Sequence, residues 1–138
     1  MNLFKVTLAF SVVLLILSTG YSSEVNENMI KAAGRGDIGA VKDLITKGAD
    51  VNAKLEGSDW TALHLAAGEG HTGMVKLLIE SGADVNVKDA VKNDPLRRAT
   101  VTGHIETVQV LLDHGANVNA KGRYGFTALM GAGWLYFW

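Results

Sequence analysis

The stretch Thr61-Ala62-Leu63-His64-Leu65-Ala66-Ala67, with its later companion Gly82-Ala83-Asp84-Val85-Asn86, decides the fold, because both pieces return. The first recurs as Asp94-Pro95-Leu96-Arg97-Arg98-Ala99-Thr100 and as Thr127-Ala128-Leu129-Met130-Gly131-Ala132-Gly133. The second stands also at Gly48-Ala49-Asp50-Val51-Asn52 and at Gly115-Ala116-Asn117-Val118-Asn119. A constant period marks an array of stacked units, each unable to bury its apolar face alone. Within each unit a second helix is expected. Val41, Leu44 and Ile45, then Val75, Leu78 and Ile79, then Val108, Leu111 and Leu112 repeat the i, i+3, i+4 spacing of one apolar helical face. Gly48, Gly82 and Gly115 come after these runs, where a helix most easily ends in the left-handed conformation.

The pattern resembles the ankyrin repeat, whose signature is Thr-Pro-Leu-His-x-Ala at a spacing of about 33 residues. The resemblance covers residues 27 to 133 and implies an all-α solenoid of helix-turn-helix units with β-hairpin-like finger loops. Repeats are expected at about 27–57, 58–90 and 91–123, with a partial fourth at 124–138. Repeat one keeps only Ile30-Lys31-Ala32-Ala33 of the first-helix signature, with Glu24 to Asn28 as a short lead-in. In repeat two Thr61 caps the first helix, and Ala62 stands where the family usually has Pro. The resemblance implies that His64 ties neighbouring repeats by hydrogen bonds. In repeat three Asp94 caps and Pro95 keeps the family's Pro, but Arg97 replaces the His and puts that tie in doubt. The loop between repeats one and two is one residue longer than the next, and the extra residue falls in Leu55-Glu56-Gly57-Ser58 at a finger tip.

The ends differ from the middle. Met1 to Lys5 carries one positive side chain, Val6 to Leu17 is almost unbroken in apolar residues, and Ser18-Thr19-Gly20 is small. This is the layout of a secretory signal peptide, with cleavage fitting after Gly20 or Ser22. Residues 1–22 are therefore expected to be removed and residues 23–138 exported, secreted or periplasmic. Membrane attachment would require an uncleaved segment, and the apolar run is short for a span of about 20 residues. At the other end Trp134-Leu135-Tyr136-Phe137-Trp138 is the opposite of the polar cap that solenoids need. Either it folds back over the last repeat, or the chain is a truncated or frame-shifted piece of a longer array. The second is the expectation.

Composition excludes several functions. There are no cysteines, hence no disulfides, thiolate chemistry or Cys-based zinc sites. The net charge of −1 has both signs interspersed and does not favour nucleic acid. Gly34-x-Gly36-x-x-Gly39 and Gly68-x-Gly70-x-x-Gly73 match a dinucleotide fingerprint, but helices precede both. Repeat three lacks the pattern, so they read as tight turns. Arg35-Gly36-Asp37 spells an adhesion tripeptide in a slot that simply tolerates polar residues. His71 and His104 are one repeat apart, about 10 Å by ordinary helix spacing, too far to share a metal. No catalytic arrangement, cofactor site or small-molecule substrate is indicated.

The resemblance implies binding of another protein, of unspecified identity, along a concave face of fingers and first helices. Trp60, Asn93 and Phe126 precede the Thr-x-Leu boxes, and Trp60 and Phe126 are expected to lead the contacts, since Trp is rich in interface hot spots; the alternative is that Trp60 packs against its neighbouring finger. Asp59, Lys88, Lys92, Arg123 and Tyr124 on the fingers, with Glu69, Val101 and Thr102 late on the first helices, complete the expected site. A membrane-anchored adaptor and an enzyme inhibitor are the other readings open to such a surface.

Overall fold

The computed structural model of the chain describes residues 3–136, and every regular element among them is a helix. A long α1 (Leu3–Gly34) leads into α2 (Ile38–Thr46). The pairs α3 (Ala62–Gly68) with α4 (Thr72–Glu80) and α5 (Pro95–Val101) with α6 (Ile105–Asp113) come next, then α7 (Ala128–Tyr136). First helices pack on first helices, α1 on α3, α3 on α5 and α5 on α7, while α4 packs on α6. This is the two-layered solenoid expected from the period.

Each first helix of the central repeats is short because its cap is fixed and its exit is a glycine turn. Thr61 Oγ1 accepts from His64 N at 3.4 Å, and Asp94 Oδ1 accepts from Arg97 N at 2.8 Å with Pro95 at the first helical position. These caps satisfy amides that a helix start leaves without partners. Ala32, Ala33, Ala66, Ala67 and Ala99 are buried, so neighbouring first helices approach closely. At the exit of α3, Gly70 holds φ at +72° directly beneath the His104 ring, where a β-carbon would collide with Nδ1. Only glycine fits there. In the fourth unit the corresponding slot is Tyr136, and α7 runs on to it instead of turning.

The closing Asp-Val-Asn motif joins repeats. Asn52 Oδ1 accepts from Asp84 N at 2.8 Å while its amide donates to Gly82 O at 3.0 Å. Asn86 does the same to Asn117 N at 2.8 Å and Gly115 O at 3.1 Å, and Asn26 Oδ1 accepts from Asp50 N at 2.8 Å. Consecutive repeats are thus stitched by one asparagine ladder just past the ends of the second helices.

Three expectations need correction. Glu24 to Asn28 is helical rather than a lead-in, since Val25 and Met29 already face the core and α1 continues through them. Leu112 is exposed although its register matches Ile45 and Ile79. Among the described residues no second-layer helix is stacked beyond α6, which also leaves Ile105 83% exposed. Arg97 does not lose the inter-repeat tie. Its Nη1 donates to Phe126 O at 3.0 Å and Thr127 O at 3.2 Å, while His64 Nε2 donates to Asn93 O at 3.1 Å. Asn93 and Phe126 are equivalent positions, so the longer guanidinium performs the imidazole's task.

The extra residue between repeats one and two sits where expected. The first finger closes from Leu55 N to Trp60 O at 2.9 Å. The later fingers close from Asp89 N to Asn93 O and from Gly122 N to Phe126 O, both at 2.9 Å and one residue shorter. Whether the tail folds back depends on the side chains of Trp134 to Trp138, which lie outside the described residues. Val12, Val13, Leu14, Leu15 and Leu17 of α1 are exposed, and no described helix is long and apolar enough to cross a membrane.

Candidate functional site

On the finger and first-helix side, a cleft of about 450 Å³ opens over α5. The finger before α5 supplies Val91 and Asn93, the first helix Arg97, Arg98, Val101 and Thr102, and the next finger Arg123 and Tyr124. The site is built by the repeat register. Arg98 occupies the slot of Leu65, and both lean back over the glycine that ends the preceding first helix, Leu65 over Gly34 and Arg98 over Gly68. Beyond Gly68 the Arg98 guanidinium lies 3.9 Å from the centroid of the Trp60 ring. Arg123 stands 5.8 Å over the Tyr124 ring. Both cations therefore rest on aromatic faces, which attract them electrostatically.

Charge around the cleft is unbalanced. Asp94, the nearest acid in sequence, is engaged by Lys88 Nζ at 2.6 Å and by the amide that starts α5. Asp89 is buried, and its Oδ1 accepts from Val91 N at 3.0 Å and Asn93 N at 2.8 Å, which holds the finger closed. Its Oδ2 has no partner among the described residues. Within the same set none of Arg97, Arg98 or Arg123 is paired with a carboxylate.

The expected contact residues divide accordingly. Asn93, Val101, Thr102, Arg123 and Tyr124 are brought together in the cleft. Trp60 is half-buried beneath Arg98 and serves as the floor under that cation rather than as a free anchor. Lys88 is occupied by Asp94. Asp59 and Lys92, with φ of 56° and 63°, share the left-handed finger slot that Gly125 fills at 76°, so their first role is to turn the finger. Glu69 and Phe126 are exposed but do not line the cleft. Sequence reasoning missed Val91, Arg97 and Arg98. The available signal was two adjacent arginines at slots that read His64 and Leu65 one repeat earlier.

The histidines act within the stack. His71 Nε2 donates to Gly34 O at 3.1 Å and His104 Nε2 to Gly68 O at 3.0 Å, each tying a turn to the one before it. His114 Nδ1 donates to Val110 O on its own helix. His64 is completely buried; its Nδ1 accepts from Thr61 N at 3.2 Å, so the proton sits on Nε2 facing Asn93 O. Burial pushes this imidazole below its ordinary value of 6.5, against the pull of the Asn93 carbonyl and of Asp89 and Asp94. The Asp of Arg35-Gly36-Asp37 caps α2 through Ala40 N at 3.0 Å, and Gly36 lies against the His71 ring.

A family model for ankyrin repeats matches residues 29–122 as three copies. The chain belongs to the ankyrin repeat family. The curated proteins gave no match. The ankyrin repeat is a non-catalytic protein–protein interaction module, and the binding of protein partners is what the family as a whole does.

Proposed function

We propose that this ankyrin chain is a non-catalytic binding module that acts outside the cytoplasm. It grips a partner protein on the concave side formed by its fingers and first helices. The observation that carries the reading is the cleft over α5, where Asn93, Arg98, Val101, Thr102, Arg123 and Tyr124 meet. It combines apolar wall, aromatic surface and cations that no carboxylate of the described residues neutralises. Such mixtures, rich in Tyr and Arg, dominate the energetics of protein interfaces. Export is supported by the N-terminal part of the chain, apolar behind Lys5 and laid out as a signal peptide.

The test compares two single variants as baits in partner capture. Val101→Asp places a charge on the cleft wall, whereas Lys76→Glu changes an exposed position on α4, in the other layer. Loss of the partner from the first bait and retention by the second is the expected result. Equal capture by Val101→Asp and the parent chain would move the interface elsewhere. Export is tested separately by N-terminal sequencing of the product recovered outside the cytoplasm, which should begin just after Gly20 or Ser22. A product there that still begins at Met1 would overturn cleavage.

A further inference from the structure

We infer that the α5 cleft receives a carboxylate-bearing, partly apolar peptide segment of the partner. Its acidic side chains pair with Arg98 and Arg123 while an apolar side chain packs on Val91, Val101 and Tyr124. The inference rests on the reading of this face as the binding face and adds the chemistry of the bound segment.

How the two arginines are held decides the matter. A guanidinium is a flat cation with donors around its edge. Arg98 is fixed through its face, on Trp60 at 3.9 Å, and its Nε is buried without an acceptor. Arg123 is likewise turned toward a ring, Tyr124 at 5.8 Å. Arg98 turns its Nε and Nη2 toward Gly68, and neither arginine side chain donates a hydrogen bond to the described residues. Arg97 differs, since its Nη1 is committed to Phe126 O and Thr127 O, yet its charge remains uncompensated. The cleft therefore presents three positive charges in a chain whose net charge is −1. Arg123, exposed and without a hydrogen-bond acceptor among the described residues, carries a fork that matches a carboxylate in bidentate geometry, and Arg98 adds its charge beside it.

The walls choose between anions. Val91 is 38% exposed, Val101 39% and Tyr124 76%, so apolar surface flanks the cations. A nucleic-acid backbone is recognised by a basic groove that tracks many phosphates, whereas the cleft gathers three arginines in a chain of 13 basic and 14 acidic residues. A short segment alternating acidic and apolar side chains satisfies both the cations and the walls.

The experiment is fluorescence polarisation of the full chain with a labelled peptide that alternates Asp and Glu with Leu and Phe. Three further probes are the same peptide with amides for acids, the same with Ser for the apolar residues, and an oligothymidine of equal charge. The acidic apolar peptide should bind more tightly than all three. Its affinity should fall at least tenfold on amidation, on Arg123→Glu, and between about 0.05 M and about 0.5 M salt. Arg98→Lys should weaken it as well, because a flexible ammonium does not hold the place of a guanidinium stacked on Trp60. Arg123 is exposed and donates no hydrogen bond to the described residues, so its replacement should leave the stack intact and read binding alone. Equal binding of the amide peptide, tighter binding of oligothymidine, or no binding by any peptide would each overturn the inference. If the peptides fail while Val101→Asp still abolishes partner capture, only the acidic chemistry falls. If Val101→Asp also leaves capture unchanged, the binding face itself is wrong.

Discussion

Replacing Arg97 by Ala should loosen the fourth unit while leaving the first three intact. Arg97 Nη1 is the donor to Phe126 O and Thr127 O. Its guanidinium also fills the space over Gly122 and Gly131, whose β-carbons would meet it at 3.3 and 3.2 Å. A hydrogen bond from a charged donor contributes about 1.5–3 kcal/mol. One nitrogen shared between two carbonyls does not double that, so with the lost packing the expected cost is about 2–3 kcal/mol. Nearest-neighbour coupling confines the loss to the interface that Arg97 spans, between α5 and α7. Native-state hydrogen exchange reads it directly at Gly131 N, which donates to Thr127 O, and at Gly122 N, which donates to Phe126 O. These amides should exchange roughly 30- to 150-fold faster, the factor that about 2–3 kcal/mol represents. Val75 and Ala83 amides should be unchanged. Arg97→His should restore much of the protection, because His64 makes the equivalent bond to Asn93 O at 3.1 Å. Unchanged exchange at Gly131 in Arg97→Ala, or equal loosening of all repeats, would show that Arg97 does not hold the fourth unit.

Two glycines at equivalent turns should behave differently. Gly70→Ala drives a methyl into the His104 ring and should cost about 3 kcal/mol in urea unfolding. Gly103→Ala has open space around it and should show only the left-handed backbone cost, on the order of 1 kcal/mol. Stability should fall as pH drops through and below 6.5, because His64 is held neutral in the fold and the unfolded chain binds the additional proton. Thermal unfolding between neutral pH and mild acid checks this, and His64→Gln should flatten the dependence. Lys92→Gly should raise stability by about 0.5–1 kcal/mol by relieving a left-handed backbone, measured by the urea midpoint. Asp59→Gly should change little, because Asp tolerates that region.

Most of the architecture was legible in the sequence because it is periodic. Thr61, Asp94 and Pro95 announce helix starts by chemistry that acts within one turn, and the second-helix faces follow from spacing alone. Contacts between repeats are harder to read, because a side chain's partner lies about 30 residues away. The Asn52 and Asn86 ladder reads in sequence as a closing motif only, and Arg97 reads as a lost bond until its reach is considered. The exposure of Leu112 depends on whether another second helix is stacked beyond α6, which helical periodicity does not encode. Among the candidate contacts, Trp60 stands out in sequence for its size. Its cover by Arg98 arises only when the register brings that residue back over Gly68. Val101, Arg123 and Tyr124 were legible as positions on the proposed binding side.

The most direct test of that face is chemical-shift mapping of the isotopically labelled chain as its captured partner is added. Perturbations should concentrate on Val91, Asn93, Arg98, Val101, Thr102, Arg123 and Tyr124, with α4 and α6 silent on their outer sides. Perturbations confined to Lys76, Gln109 and their neighbours on the second helices would contradict it.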